Sequence, residues 1–149
     1  MEPDLRIQLV KDEYSMLQGF YEDIDNRCIT IKGWSITAGL AAIGAGFVYS
    51  ELLFLAAAAS SYLFWYLEGY WRGLSFFFSR RILEIEAAIR EGDWEGFVPL
   101  QVYESWDRNF RVHGKQTRRY MLKEQSLMPH LFIIGAAVLL YVLRWVGVI

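Results

Sequence analysis

Residues 33–68 read GWSITAGLAAIGAGFVYSELLFLAAAASSYLFWYLE and decide the fold. Residues 33–50 contain no charged side chain, and after the interruption at Glu51 the run 52–67 is again free of charge. A helix needs roughly 20 mostly apolar residues to cross about 30 Å of hydrocarbon. The pattern therefore predicts two membrane-spanning helices joined by a tight turn at about residues 49–52. The alternative is a buried helical hairpin of a soluble protein.

The composition of the 149-residue chain favours long helices in apolar surroundings. Hydrophobic residues make up 54% of it, above the usual share for a soluble domain, and only 3 prolines interrupt it. The single cysteine, Cys28, excludes an intramolecular disulfide and a cysteine-based metal cage. The first residues, MEPDLRIQLVKDEY, lack the basic start and apolar middle of a signal peptide, so we expect the first apolar run to be retained.

Residues 1–32 are predicted to form a cytosolic amphipathic helix that begins near Pro3 and Asp4. Apolar residues recur at alternating steps of three and four, as in a coiled-coil seam: Ile7, Val10, Tyr14, Leu17, Tyr21, Ile24, Cys28 and Ile31. Such a seam requires a partner helix. The partner is either another helix of this chain, which we favour, or the same helix of a second protomer.

Small residues define a helix-packing face on the first predicted span. Ala38, Ala42 and Gly46 are four residues apart. Because lipid provides no hydrophobic drive between helices, small residues matter by allowing close backbone approach. The favoured partner is the second span, which carries alanines and serines at residues 56–61; oligomerisation is the alternative.

The segment 69–126 is predicted to be cytosolic and helical. A single helix is expected from about Leu52 to Glu91, because apolar residues keep helical spacing past the second span and Gly92 suits a helix end. A loop should occupy residues 92–99. A further helix is expected over residues 100–123, in which Gly114 allows a bend or a frayed turn.

Residues 127–149 are predicted to form a third transmembrane helix. Pro129 precedes the apolar run 131–149, in which Arg144 is the only charged residue. We expect the Arg144 side chain to extend towards the far interface.

The distribution of basic residues predicts the topology. Four precede the first span, and ten lie between the second and third spans: Arg72, Arg80, Arg81, Arg90, Arg108, Arg111, Lys115, Arg118, Arg119 and Lys123. The positive-inside rule then places the N-terminus and the middle segment in the cytoplasm, and the hairpin tip and C-terminus outside. We expect a multi-pass protein of the inner (plasma) membrane.

The densest bases form a candidate site for ligands or lipid headgroups: Arg108, Arg111, Lys115, Arg118, Arg119 and Lys123. Simple positive-inside topology is the plainest explanation of this cluster. The alternatives are attachment to anionic lipids, or a pocket for a phosphate-bearing ligand whose base stacks on Trp106, Phe110 or Tyr120. Nucleic acid is not expected as a partner.

No catalytic or metal-binding motif occurs in the sequence. Phosphate-binding glycine loops, a nucleophile elbow and any local carboxylate–histidine cluster are all missing. We therefore expect no enzyme activity, no catalytic residue, no metal and no cofactor. Cys28 fits the apolar seam, and His130 is expected at the interface. Glu51, Glu68 and Arg144 lie near predicted span ends, where water should reach them.

The order of elements resembles a known bacterial family. The residues Arg27-x4-Lys32-Gly33-Trp34, the two-span hairpin and the long cytosolic helix are similar to the two-span effector domains called SLATT, over Ile24 to Arg90. The third span departs from that pattern. The resemblance implies an oligomeric membrane-perturbing or pore-forming effector whose cytosolic helices receive a signal.

The sequence as a whole predicts an all-α membrane protein with three transmembrane helices and a cytosolic helical bundle, in which a long helix continues from the second span. The expected function is a non-enzymatic oligomeric membrane protein, a channel-like or membrane-disrupting effector, with the lipid bilayer and a second copy or a partner membrane protein as partners. The alternative is a structural or adaptor subunit that docks a partner protein through its cytosolic helices, with the face carrying Tyr14, Leu17 and Tyr21 as the first candidate surface. A small transporter or a membrane enzyme ranks third.

Overall fold

The computed structural model describes residues 3–92 and 97–148, and the described chain is helical with no strand. Its helices are α1 (Pro3–Val48), α2 (Leu52–Glu91), α3 (Val102–His113), α4 (Thr117–Met121), α5 (Glu124–Leu127) and α6 (His130–Trp145). The all-helical class predicted from the sequence is confirmed. Two of the helices, α1 and α2, are long and apolar enough to cross a membrane.

Helix α1 joins the predicted cytosolic helix and the predicted first span without a break. Its 46 residues extend for about 69 Å at 1.5 Å per residue. The helix continues through Gly33 at the junction, where an added Cβ would meet no other atom within 4 Å. The charged half and the apolar half of α1 are therefore one continuous rod.

The predicted tight turn is confirmed between Val48 and Leu52, where α1 ends and α2 begins. The amide of Phe54 donates to the carbonyl of Glu51 at 3.0 Å, and the Leu52 amide donates to the Ser50 hydroxyl at 3.3 Å. Helix α2 then extends from Leu52 to Glu91, as predicted, and Gly92 follows it with φ 70°. A left-handed residue at this position is a common helix end.

The charged halves of α1 and α2 pack around an apolar core that includes Val10, Leu17, Ile82 and Ile85, with Phe97. The intrachain partner predicted for the N-terminal seam is thus confirmed. The seam itself differs from the prediction at two places. Ile7 is 54% exposed and Tyr21 is 39% exposed. Glu13 is instead fully buried, because it pairs with Arg81 of α2.

The segment after α2 folds back along it as short helices. Part of the predicted loop, residues 93–96, lies outside the described residues. The helix predicted over residues 100–123 is divided in the structure: the backbone takes φ 60° at Gly114, where the sequence allows a bend or a frayed turn, and separate helices α3 and α4 form on either side. Helix α4 packs closely on α2. At Gly73 of α2 an added Cβ would lie only 3.0 Å from the Thr117 nitrogen, so glycine permits this approach.

Helix α6 packs on both long helices through its inner face. At Gly39 of α1 an added Cβ would lie 2.6 Å from Cγ2 of Ile133, so glycine permits this close approach. Helix α6 has 16 residues, or about 24 Å, against about 30 Å for a hydrocarbon core. The predicted count of three spans is therefore not confirmed.

Candidate functional site

A cluster of buried polar side chains lies where α1, α2, α5 and α6 meet. Helix α1 contributes Ser35, α2 contributes Ser61 and Glu68, α5 contributes Ser126, and α6 begins with His130. All five side chains are fully buried. Because burying an unpaired polar group is costly, each of them requires a partner inside the protein.

The imidazole of His130 bridges the two long helices. Its Nε2 atom lies 3.0 Å from Oε2 of Glu68, and its Nδ1 atom lies 2.8 Å from Oγ of Ser35. The Ser35 and Ser61 hydroxyl oxygens are 2.9 Å apart, and the Ser61 hydroxyl donates to the His130 carbonyl at 3.3 Å. The last three contacts form a closed ring that runs from the His130 imidazole through Ser35 and Ser61 to the backbone carbonyl of His130.

Basic side chains balance the charge of the Glu68 carboxylate. Its Oε1 atom accepts a hydrogen bond from Arg72 Nε at 2.7 Å and lies 3.3 Å from Lys32 Nζ. Arg72 also pairs with Asp25 of α1 at 3.0 Å. Burial disfavours the charged form of Arg72, but its hydrogen bond to Glu68 and the negative charges of Glu68 and Asp25 together outweigh burial and raise the pKa of Arg72 above the ordinary value. The guanidinium therefore stays charged.

The order carboxylate, imidazole, hydroxyl in Glu68, His130 and Ser35 matches the components of an acyl-transfer triad. The Ser35 hydroxyl is fully buried, however, so a substrate carbonyl has no route to it in this conformation. Among the described residues, no group of three or more histidines, cysteines or acids is placed to hold a metal ion. The arrangement is suited to locking three helices together.

A second buried ion-pair network holds the charged half of the hairpin to the following segment. Arg81 Nε donates to Glu13 Oε1 at 2.8 Å, and Arg81 also pairs with Glu84 at 3.0 Å. The amide of Leu100 donates to Glu13 Oε2 at 2.7 Å, and Arg108 of α3 pairs with Glu84 at 2.9 Å. Burial acts to raise the pKa of Glu84, but hydrogen bonds from Arg81 and Arg108 prevail and lower it below the ordinary value.

The first two residues of the predicted basic cluster, Arg108 and Arg111, pair with different acids and do not line one common pocket. Arg108 pairs with Glu84, and Arg111 pairs with Asp107. The ammonium of Lys123 lies 3.9 Å from the centroid of the Tyr120 ring. The other three bases, Lys115, Arg118 and Arg119, are exposed. A role for them at lipid headgroups stays a prediction.

The aromatic residues predicted to stack a ligand base are already in contact with each other. The rings of Trp106 and Phe110 are stacked, with centroids 5.0 Å apart and planes at 7°. Tyr103 continues the stack on the other side of Trp106, at 6.2 Å. A planar ligand would have to displace one of these contacts to enter between the rings.

The predicted helix-packing residues have different surroundings. Gly46 is buried against α2, where an added Cβ would lie 2.6 Å from the Phe54 ring. Ala42 is half-buried and Ala38 is exposed. Within the described residues, this face is therefore covered at Gly46, partly covered at Ala42 and uncovered at Ala38.

The buried polar cluster was not predicted from the sequence. His130 was expected at the interface and Glu68 within reach of water, yet both are fully buried. The two residues are 62 positions apart, so no local spacing could join them. The available signal was the presence of serines and an acid in otherwise apolar runs, since polar residues there commonly find partners inside a helical bundle.

No protein-family model, curated protein or solved structure matches this chain.

Proposed function

We propose that the chain is a non-enzymatic, oligomeric integral membrane protein that acts on the bilayer as a channel-like or membrane-disrupting effector. Large apolar side chains on the apolar halves of the long helices support membrane insertion. Leu40, Leu52 and Leu63 are 57%, 62% and 65% exposed. Large apolar side chains exposed in this way are unfavourable in water and favourable in lipid.

The observation that carries the proposal is the continuity of the two long helices. Each extends from a charged half to an apolar half with no helix break between them, and α2 also packs with α3 and α4. A helix transmits rotation or tilt along its length, since its hydrogen bonds hold successive turns rigidly. A signal received by the charged half would therefore move the apolar half directly, as an effector requires.

The proposed orientation has the N-terminus and residues 69–126 in the cytoplasm. The bases of that middle segment support it through the positive-inside rule. Helix α6 also has exposed apolar side chains, among them Phe132 at 69% and Leu139 at 58%. In this proposal, residues 127–149 form a third, short span and the C-terminus lies outside.

Oligomerisation is proposed to use the small residues of α1 that the chain itself leaves uncovered. Ala38 and Ala41 are both exposed, so another helix could approach them closely. The resemblance of the layout to SLATT effector domains also supports an oligomer. The buried serines already bond each other, so a conducting path would form between copies.

The test measures oligomeric mass in nanodiscs and ion flux in liposomes on one preparation. A defined oligomer that leaks ions supports the effector. Ala38→Leu should lower both the oligomeric mass and the flux, whereas Ala59→Leu, an exposed alanine on α2, serves as the matched control. A monomer in tight liposomes would contradict the proposal.

An adaptor is the second candidate, and a specific groove favours it. A cavity of about 380 Å³ lies between the start of α1 and the end of α2, with an apolar wall of Ile7, Val10 and Ile89. Leu17, one of the residues expected to dock a partner, is fully buried and unavailable. An adaptor would express harmlessly, and Ile7→Asp would abolish recovery of its partner while leaving liposomes tight.

A further inference from the structure

A cavity of about 400 Å³ lies beside α1 and α2 where the charged half of the hairpin meets the apolar half. Asp23 and Arg27 line one end of it, and Trp34 and Leu67 line the other. Ile31 of α1 also lines the cavity and is buried. The cavity is therefore charged at one end and apolar at the other.

The two charges at the polar end, Asp23 and Arg27, are not paired with each other. Asp23 and Arg27 are one helical turn apart, a spacing at which an acid and a base ordinarily pair. Instead, Cζ of Arg27 lies 5.1 Å from the centroid of the Trp71 ring. Within residues 3–92 and 97–148, neither charged group makes a hydrogen bond or an ion pair with another side chain, and both residues are exposed. Both charges are available to a ligand.

The order of these charges along α1 matches one class of lipid. If α1 enters the bilayer from the cytoplasm, Asp23 lies about 6 Å farther from the hydrocarbon than Arg27. In a zwitterionic phospholipid the phosphate is joined to the glycerol, and the ammonium group lies beyond it. The phosphate would then be level with Arg27 and the ammonium level with Asp23. Trp34 and Leu67 would contact the glycerol and the upper acyl chain, at the depth where aromatic side chains are enriched.

We propose that this cavity binds the headgroup of phosphatidylethanolamine in the cytoplasmic leaflet. Arg27 donates to the phosphate, and Asp23 accepts from the primary ammonium. An anionic lipid such as phosphatidylglycerol has no ammonium group for Asp23, so its binding leaves that carboxylate unpaired beside a second negative charge. The proposal rests on the membrane orientation given above.

The test is native mass spectrometry of the full-length chain in detergent with equal amounts of phosphatidylethanolamine and phosphatidylglycerol. The wild type should retain mainly phosphatidylethanolamine. Arg27→Gln and Asp23→Asn should each lower its retention about tenfold, since a hydrogen bond to a charged group contributes about 1.4 kcal/mol or more. Arg80→Gln and Asp12→Asn, which change exposed charges outside the cavity, should retain the lipid as the wild type does.

A charge swap tests the order of the groups. The double variant Asp23→Arg, Arg27→Asp keeps the net charge and composition but reverses the order, so it should lose the preference for phosphatidylethanolamine. Equal or stronger retention of phosphatidylglycerol by the wild type would overturn the proposal, as would a swap variant that keeps the preference. Soluble glycerophosphoethanolamine that competes as well as the intact lipid would also overturn it, because the apolar end would then have no role.

Failure of this inference is distinguishable from failure of the proposed function. A chain that alkaline carbonate extracts from membranes contradicts membrane insertion itself. A chain that resists extraction but shows no preference between the two lipids contradicts the headgroup site alone.

Discussion

The Nε2 atom of His130 lies 3.0 Å from the Oε2 atom of Glu68, and both side chains are fully buried. This contact joins the start of α6 to the middle of α2, and through Ser35 it also reaches α1. A buried carboxylate of this kind is tolerated only because imidazole, guanidinium and ammonium groups surround it. The pair should therefore stabilise the association of α6 with the hairpin.

The first prediction concerns this pair. His130→Ala should lower the free energy of unfolding by about 3 kcal/mol, because removing one partner leaves buried polar groups unpaired. Titration of the purified protein from a mild detergent into sodium dodecyl sulfate, followed by circular dichroism, measures the change. Ser60→Ala is the control, since that hydroxyl donates to the Ala57 carbonyl of its own helix and takes no part in the His130 cluster. A double-mutant cycle then combines His130→Ala with Glu68→Gln. If the losses of unfolding free energy of the two single variants add up to that of the double variant within about 0.5 kcal/mol, the two side chains do not interact as described.

The second prediction concerns the close approach of α6 to α1. Gly39→Ala should destabilise the protein by about 1–3 kcal/mol, because the new methyl group would overlap Ile133. Gly44→Ala, on the same helix in open space, should be neutral or stabilising by up to about 1 kcal/mol. The thermal unfolding midpoints of the two variants, measured side by side, test this difference in stability. Equal midpoints for Gly39→Ala and Gly44→Ala would contradict the packing of α6 on α1.

The third prediction concerns pH. The pKa of Glu84 is lowered on folding from the ordinary value of 4.5, so the folded state binds the proton less tightly than the unfolded state. The stabilising contribution of Glu84 is therefore fully present above pH 4.5 and is lost as the pH falls through the lower, folded-state pKa. In a plot of unfolding free energy against pH, Glu84→Gln should therefore reduce the loss of stability that the wild type shows as the pH falls below 4.5. Glu91→Gln, an exposed acid on the same helix, should leave it unchanged.

The fourth prediction concerns the only cysteine. Burial raises the pKa of the Cys28 thiol to about 11, so little thiolate forms at neutral pH and reagents cannot reach it. Maleimide at neutral pH should label Cys28 only after the protein is unfolded. A cysteine introduced at the exposed position Ser15, on the same helix, should react at once in the folded protein. Rapid labelling of native Cys28 would show that α1 does not pack as described.

The long helices were predictable because their signals are local. Two charge-free runs around Glu51 mark the turn, and Gly92 marks the end of α2 at the predicted residue. The division between α3 and α4 was less accessible, since Gly114 permits a break but does not require one. Residues 131–143 of the final segment are all uncharged and mostly apolar, but this composition does not reveal that helix α6 ends at Trp145.

The candidate site was not predictable from spacing. Ser35, Glu68 and His130 lie on different helices, and only the tertiary packing of those helices brings them together. In the sequence, Glu68 reads as the charge that ends a span, and His130 reads as a boundary residue after Pro129. The buried Glu13 shows the same limitation, because its partner Arg81 is 68 residues away.

The central claim, that the hairpin crosses a membrane from the cytoplasmic side, is tested most directly by cysteine labelling in oriented membrane vesicles. Ser15→Cys and Ser50→Cys place thiols in the charged half of α1 and at the hairpin turn. With an impermeant maleimide, Ser50→Cys should be labelled in right-side-out vesicles and Ser15→Cys only in inside-out ones. Labelling of both thiols from the same side, or release of the chain by carbonate, would contradict the account.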